Sequence, residues 1–374
     1  MRRLVFLAPA LILFVACASG RDSLAPTATP TRPPDVAFRT ATPTPLPFTA
    51  PEAVAPLTLD DVFGSPAGRG GLRLDPAKLR TIIATGDVIP ARNVDMQIRL
   101  RNDDFAYPLS GTADILRQGD LTVINLEAPL IDGCPPSEEG FTFCGRPGFA
   151  DALVDAGVDV ATLENNHIGN YGVEGVDATK DLLTAKGIAW ADAYTPVVID
   201  VRGLRFAFVA FNGVGGSFDR ELVSRQIAAV RDQADVVVAA FHWGAEYVSV
   251  PEAAPGIAED NPVEIAHLAV GAGADLIIGN HPHWVQAVEV YKDRLITYAH
   301  GNFIVDQMWS RETTLGVIGH YTFYDTKLVE VEFLPVVIED YARPRLLEGA
   351  EAQAVLDGMR QASATLRDAL AATP

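Results

Sequence analysis

Residues 274–283 read ADLIIGNHPH: the apolar run Ala274–Ile278 breaks at Gly279 into Asn280 and two histidines, His281 and His283, with Pro282 between them. A short apolar run bounded by Gly and Pro reads as a buried strand, so these polar residues fall where a strand ends. The same grammar recurs in TIIATGDVI (81–89), LTVINLEAPL (121–130), VDVATLENNH (158–167), RFAFVAFN (205–212), DVVVAAFHWG (235–244) and LITYAHGNF (295–303). Helix-like stretches lie between them, including 149–156, 173–186, 220–233 and 262–272. This alternation predicts an α/β architecture. In such folds sites are built on loops outside the carboxyl ends of the strands.

Those strand ends carry Asp87, Asn125, Glu127, Asn166, His167, His242, His281 and His283. Carboxylates together with neutral imidazoles are what a divalent transition metal requires. Taken singly, a histidine after a strand reads as a hydrogen-bonded loop or core residue. As a set, which holds five of the seven histidines once His300 is counted, they read as a metal centre. Trp243, Trp284, Tyr247 and Tyr298 beside them are expected to pack the core or the pocket wall.

The chain has 374 residues, 48% of them hydrophobic, enough for a substantial core, and a formal charge of -19. That charge disfavours nucleic acid and anionic membrane surfaces as partners. An anionic substrate therefore needs a local cationic site, such as a metal. Arg2 and Arg3 precede the apolar run Leu4–Ala16, too short for an ordinary membrane span but of the length of a secretory signal. The run ends FVAC (14–17), which resembles a bacterial lipoprotein signal and makes Cys17 the expected lipidation site; a plain signal peptide is the alternative. Localisation is accordingly expected to be extracytoplasmic, on the cell membrane. In an oxidising compartment the other two cysteines, Cys134 and Cys144, framing CPPSEEGFTFC, are expected to form a disulfide; buried thiols or a metal pair are the competing readings. The expected organisation is a signal peptide over 1–17, a Pro/Thr-rich disordered tether over 18–56, a single domain over 57–342, and a terminal helix over 343–374 that packs back on the domain.

GDVIPAR (86–92), NLEAPL (125–130), ENNHIGNYG (164–172), HWGAEY (242–247), GNHPHWVQAVEVY (279–291) and YAHGNFIVDQ (298–307) occur in the order and spacing of a known family. On these motifs the chain resembles the CapA-type capsule-synthesis family, associated with poly-gamma-glutamate synthesis and similar in fold to calcineurin-type metallophosphoesterases. The resemblance implies a four-layer α/β/β/α sandwich. It also implies one or two divalent ions (Mn, Zn or Fe) held by Asp87, Glu127, Asn166, His242, His281 and His283, with Glu127 shared between them. His167 is then the general acid, oriented by Asn170, and Arg92, Asn125, Glu246 and Asn302 are the candidate substrate contacts. Arg92 reads equally as half of a surface salt bridge.

Three departures from the family pattern stand out. Ile89 occupies the position of a first-motif histidine, which leaves one metal position short of a ligand. Asn170 replaces an aspartate, so it can orient His167 but brings no charge. His300 replaces an apolar residue and is either an extra ligand or a loop histidine. The expected function is a lipid-anchored, metal-dependent hydrolase or transferase acting on an anionic polymer such as poly-gamma-glutamate, alongside membrane-bound synthesis or export proteins. The alternatives are a non-catalytic component of an envelope polymer complex and a stand-alone metallophosphoesterase.

Overall fold

The computed structural model describes residues 48–64 and 72–372. The expected signal peptide, Cys17 and the tether as far as residue 47 lie outside the described residues. Strands β1 (Leu79–Val88), β2 (Leu121–Leu126), β3 (Val160–Thr162) and β4 (Ala189–Ala191) start the first sheet. The chain then crosses to a second sheet for β5 (Val197–Val201), β6 (Leu204–Asn212), β7 (Val236–His242), β8 (Leu276–Asn280), β9 (Val288–Tyr291) and β10 (Arg294–Thr297). It returns to the first for β11 (Asn302–Ile304), β12 (Leu315–Tyr324), β13 (Lys327–Glu339) and β14 (Arg343–Leu346). The eight-stranded sheet has the order β14-β13-β12-β1-β2-β3-β4, with β11 also paired to β1, and the six-stranded sheet the order β5-β6-β7-β8-β10-β9.

Period-two alternation along the strands builds the layers. Ile82 and Ala84 of β1, Phe206 and Phe208 of β6, and Val236 and Val238 of β7 meet between the sheets. Their neighbours point outward: Ile83 packs beneath α2 (Asn93–Leu100), α3 (Ala113–Leu116), α4 (Gly148–Asp155) and α5 (Gly172–Lys186). Ala207, Val237 and Ala239 pack beneath α6 (Arg220–Arg231) and α7 (Pro262–Ala272). The result is the expected helix, sheet, sheet, helix order. The central strands are apolar on both faces because both faces are covered; β7 is buried along its whole length. Helix ends follow local chemistry. Asp219 caps α6 by accepting from the Leu222 N–H, and Asn261 caps α7 by accepting from the Val263 N–H, with Pro262 opening the first turn.

Two expected boundaries shift. The tether's end at residue 56 falls inside a segment that packs on the domain, because Val54 is buried against Tyr324 and Val329, and the Tyr324 hydroxyl donates to the Thr49 carbonyl at 2.7 Å. Residues 343–346, placed in the terminal helix, instead form edge strand β14, paired with β13 and tied by Arg343 and Arg345 to Glu339. The terminal helix is α8 (Gly349–Ala372), and it does pack back: Met359, Ala362, Ser363 and Leu366 are buried, and the Ser363 hydroxyl accepts from the Val288 N–H. A short helix, α1 (Leu59–Phe63), sits beside it, with the Arg360 guanidinium donating to the Phe63 carbonyl.

Two glycines let the backbones close in at the site edge. A Cβ on Gly86 would stand 1.9 Å from the Gly301 carbonyl oxygen, and one on Gly279 1.9 Å from that of Tyr298. β1 therefore bulges between Ala84 and Asp87, bringing Asp87 into register with both Asn125 and Asn302.

Candidate metal centre

The carboxyl ends of β1, β2, β3, β7 and β8 converge. Asn125 donates through Nδ2 to Asp87 Oδ1 at 2.8 Å and to Glu127 Oε2 at 3.3 Å, so one amide spaces two buried carboxylates. Asn165 clamps the loop after β3: its Nδ2 donates to Asn125 Oδ1 and the Leu126 carbonyl, while its Oδ1 accepts from the His167 and Ile168 N–H groups. That clamp aims Asn166 at His242, whose Nε2 lies 2.8 Å from Asn166 Oδ1 and 3.3 Å from Glu127 Oε1. After β8, His281 and His283 both adopt positive φ, 95° and 57°, a conformation costly for residues with a Cβ and typical of sites. His283 Nδ1 lies 3.1 Å from Asp87 Oδ2 and 2.9 Å from Asn302 Oδ1.

Two overlapping groups of possible ligands result, Asp87 with Glu127 and His242, and Glu127 with His281 and His283. Glu127 is common to both, the place expected for a shared ligand. All are buried; Asp87 Oδ2 and Glu127 Oε1 face the rings of His283 and His242 without a well-formed hydrogen bond, and His242 Nδ1 and both ring nitrogens of His281 lack a hydrogen-bond partner among the described residues. Leaving that many buried polar atoms without a hydrogen bond is costly, and a cation bound among them would take the carboxylate oxygens and one nitrogen of each imidazole as ligands. The residue set fits a divalent metal.

The titration states agree with such a site. Burial, and then the adjacent Asp87, raise Glu127 well above the usual carboxylate range. Burial opposes it, but His283 holds Asp87 below its ordinary value. Against its own burial, His283 is pushed up to about 9 by Asp87 and Glu127. Burial lowers His242 to about 3 and, helped by the neighbouring imidazoles, takes His281 well below its normal value. Asp87, His242 and His281 are thus already in the form a metal needs, while His283 must lose a proton and Glu127 is pushed toward its protonated form.

His167 sits at the edge of this group, with Nδ1 3.1 Å from Asn170 Oδ1. The same oxygen accepts from the Phe143 N–H at 2.6 Å, which fixes it as an acceptor and makes His167 Nδ1 the donor. Burial, opposed by Asn170, lowers His167 to about 4. Glu246 stands at the mouth, its side chain 35% exposed and 4.0 Å from His281. Asn125 and Asn302, expected as substrate contacts, are instead buried behind the carboxylates and His283, and Asn302 Nδ2 is engaged by Gln307 and the Thr313 carbonyl. Arg92 is neither a free anion contact nor a surface salt bridge: its guanidinium is buried, pairs with Asp306, and donates to the Gly140 carbonyl. Ile89 packs in an apolar cluster with Ala91, Ala128, Phe143 and Val305. His300 is not a ligand; one ring nitrogen meets the Thr85 carbonyl and the other the Tyr321 hydroxyl. Trp243 and Tyr298 are core residues, and Tyr247 lies over His283. Cys134 and Cys144 form a disulfide. Sequence reasoning missed Asn165 and also Asn280, whose buried Oδ1 is unpartnered; the first Asn of Asn-Asn-His, beside the named Asn166, was the available signal for Asn165.

The family described as bacterial capsule synthesis protein PGA_cap matches residues 81–307. The capsule biosynthesis protein CapA of Bacillus anthracis is 27% identical over 291 residues, covering 70% of this chain and 68% of its own. The PGA biosynthesis protein CapA of Bacillus subtilis is 26% identical over 260 residues, 63% of this chain and 66% of its own. Among solved structures, a hypothetical protein from Thermus thermophilus is similar at 16% identity and a TM-score of 0.45, over 68% of this chain and 98% of that one.

Proposed function

Because the chain belongs to the bacterial capsule synthesis protein family, we propose that it serves poly-gamma-glutamate capsule synthesis or processing as a metal-dependent hydrolase or transferase acting on an anionic polymer or ester. The names of its Bacillus relatives support the polymer. One observation of this chain carries the chemistry, the convergence of buried, unpartnered ligand atoms around Glu127. Asp87, Glu127, His242, His281 and His283, with Asn166, would hold manganese, zinc or iron. A divalent ion bound there supplies a Lewis acid that polarises a carbonyl or phosphoryl oxygen.

The chain's own residues account for the rest. Asp306 neutralises Arg92, and Glu246 faces the mouth, so the loaded site would supply the positive charge that an anionic substrate meets there. His167 is neutral near pH 7 and keeps Nε2 for proton exchange while Nδ1 donates to Asn170. Negative charge on an arriving substrate raises its proton affinity, so Nε2 takes up a proton from solvent water and passes it to the leaving-group oxygen. We place the protein outside the cytoplasm, anchored through Cys17.

A second reading, a non-catalytic part of an envelope polymer synthesis or export complex, is favoured by Ile89, which gives no ligand, and by the engagement of Arg92. Metal analysis of the purified protein, followed by a screen of phosphoester and gamma-glutamyl substrates, separates the two. Turnover that scales with bound metal supports the enzyme. Stoichiometric metal without turnover of either substrate class supports the assembly role.

A further inference from the structure

We infer that Phe143 is a positioning residue for His167 and that the Cys134–Cys144 disulfide holds Phe143 in place. The role of His167 rests on the hydrolase reading; the contacts do not. The segment between β2 and α4 is closed at its base by a bridge between Leu130 and Gly145, where Ile131 N donates to the Gly145 carbonyl and Gly145 N to that of Pro129. Inside this base the disulfide links residues ten apart. Phe143 immediately precedes the second cysteine and bears on His167 twice. Its ring packs on the imidazole, centroids 4.3 Å apart and planes inclined by 46°. Its N–H donates to Asn170 Oδ1, the atom that receives His167 Nδ1. The side chain thus limits the tilt of the imidazole, and the backbone fixes the oxygen that selects its tautomer.

The ring is itself held. Ile89, Ala91, Ala128 and Val305 form its floor, and the Arg92 guanidinium lies over it at 4.8 Å. Ile89 therefore has a purpose beyond the absence of a ligand: an apolar side chain there gives Phe143 a dry seat. Gly140 and Phe141 on the near side of Phe143 are exposed, and the restraint there comes from Arg92, which donates to the Gly140 carbonyl and lies over the Phe141 ring. Without the covalent link, Phe143 keeps its floor, the Arg92 guanidinium over its ring and the N–H bond to Asn170, but the segment that carries it regains the conformational freedom the link removes. The base at Leu130 and Gly145 is tied by backbone hydrogen bonds separate from the bridge, so loss of the bridge acts on the loop that carries Phe143 and, through it, on Asn170 and His167.

The test needs a readout independent of turnover. Full-length protein labelled with ¹⁵N in its histidines and loaded with zinc should show a slowly exchanging His167 Nδ1–H signal. Phe143→Leu, which keeps apolar volume without a ring, and the double variant Cys134→Ser/Cys144→Ser should each lose that signal, while Phe143→Tyr retains it. Zinc content and the signals of His242, His281 and His283 should stay as in the parent. On any substrate the screen yields, kcat should fall by about 10² in the first two variants with KM unchanged. A His167 signal preserved in Phe143→Leu or in the bridge-free variant overturns the inference. Loss of the signal in a protein that hydrolyses nothing leaves the positioning intact and refutes the hydrolase reading instead.

Discussion

Metal affinity should climb steeply with pH, because the site must release protons to accept a cation. In the metal-free chain His283 titrates at about 9 and is protonated at pH 7. Its imidazole must be neutral to bind metal. Two pH units separate pH 7 from that value, so deprotonation costs roughly 3 kcal/mol, and affinity should rise about tenfold per pH unit from His283 alone. Glu127, raised well above the normal carboxylate range by burial and by Asp87, adds up to one more proton. His242, at about 3, and the ionised Asp87 add none. The slope of log affinity against pH between 6 and 8 should therefore lie between one and two, and flatten above pH 9 as His283 finishes titrating. Competition against a chelator of known pH dependence gives the slope, and calorimetry in buffers of different ionisation enthalpy counts the protons directly. His283→Gln should lower the slope by one. A slope near zero over pH 6 to 8, or an unchanged slope in His283→Gln, would refute the proposed ion pair of His283 with Asp87.

Other substitutions address separate parts of the account. His167→Ala should leave metal content unchanged and reduce hydrolysis by about 10²–10⁴, measured on the best substrate of the screen. Asn170→Asp puts a charge against His167 Nδ1 and should raise the imidazole from about 4 by about 1–3 units; the titration of its ring signals checks this, and the stability gained over the parent should be fully present below the parent's folded value of about 4 and lost as pH increases through the new folded value. Cys17→Ser should move the protein from the membrane fraction to the soluble fraction, since the tether itself brings no acyl chain.

Much of this was legible because strand-end residues in an α/β chain face one edge. The seven strand runs, the helices near 149–156, 173–186 and 262–272, and the gathering of Asp87, Glu127, His242, His281 and His283 follow from patterning alone. What patterning cannot reveal is who partners whom across the fold. Arg92 looked available because its partner, Asp306, is 214 residues away. Asn125 and Asn302 sit in motifs that look solvent-facing, but the bulge at Gly86 and the close approach of Gly301 bury them. Residues 343–346 read as helix because local propensity there is weak, and pairing with β13 overrode it. The same limit hid the link between the disulfide and His167, which passes through one side chain and one amide hydrogen.

The measurement that bears most directly on the metal centre is stoichiometric metal analysis of the parent protein and of Glu127→Gln, each supplied with manganese, zinc or iron. Glu127 belongs to both ligand groups, and the substitution keeps its volume while removing its charge. The parent should bind at least one ion per chain. Glu127→Gln should bind none at equal metal concentration while remaining folded, since a buried carboxylate raised by desolvation is relieved when replaced by a neutral amide. A parent protein that takes up no ion, or a variant that matches its parent, would contradict the metal centre.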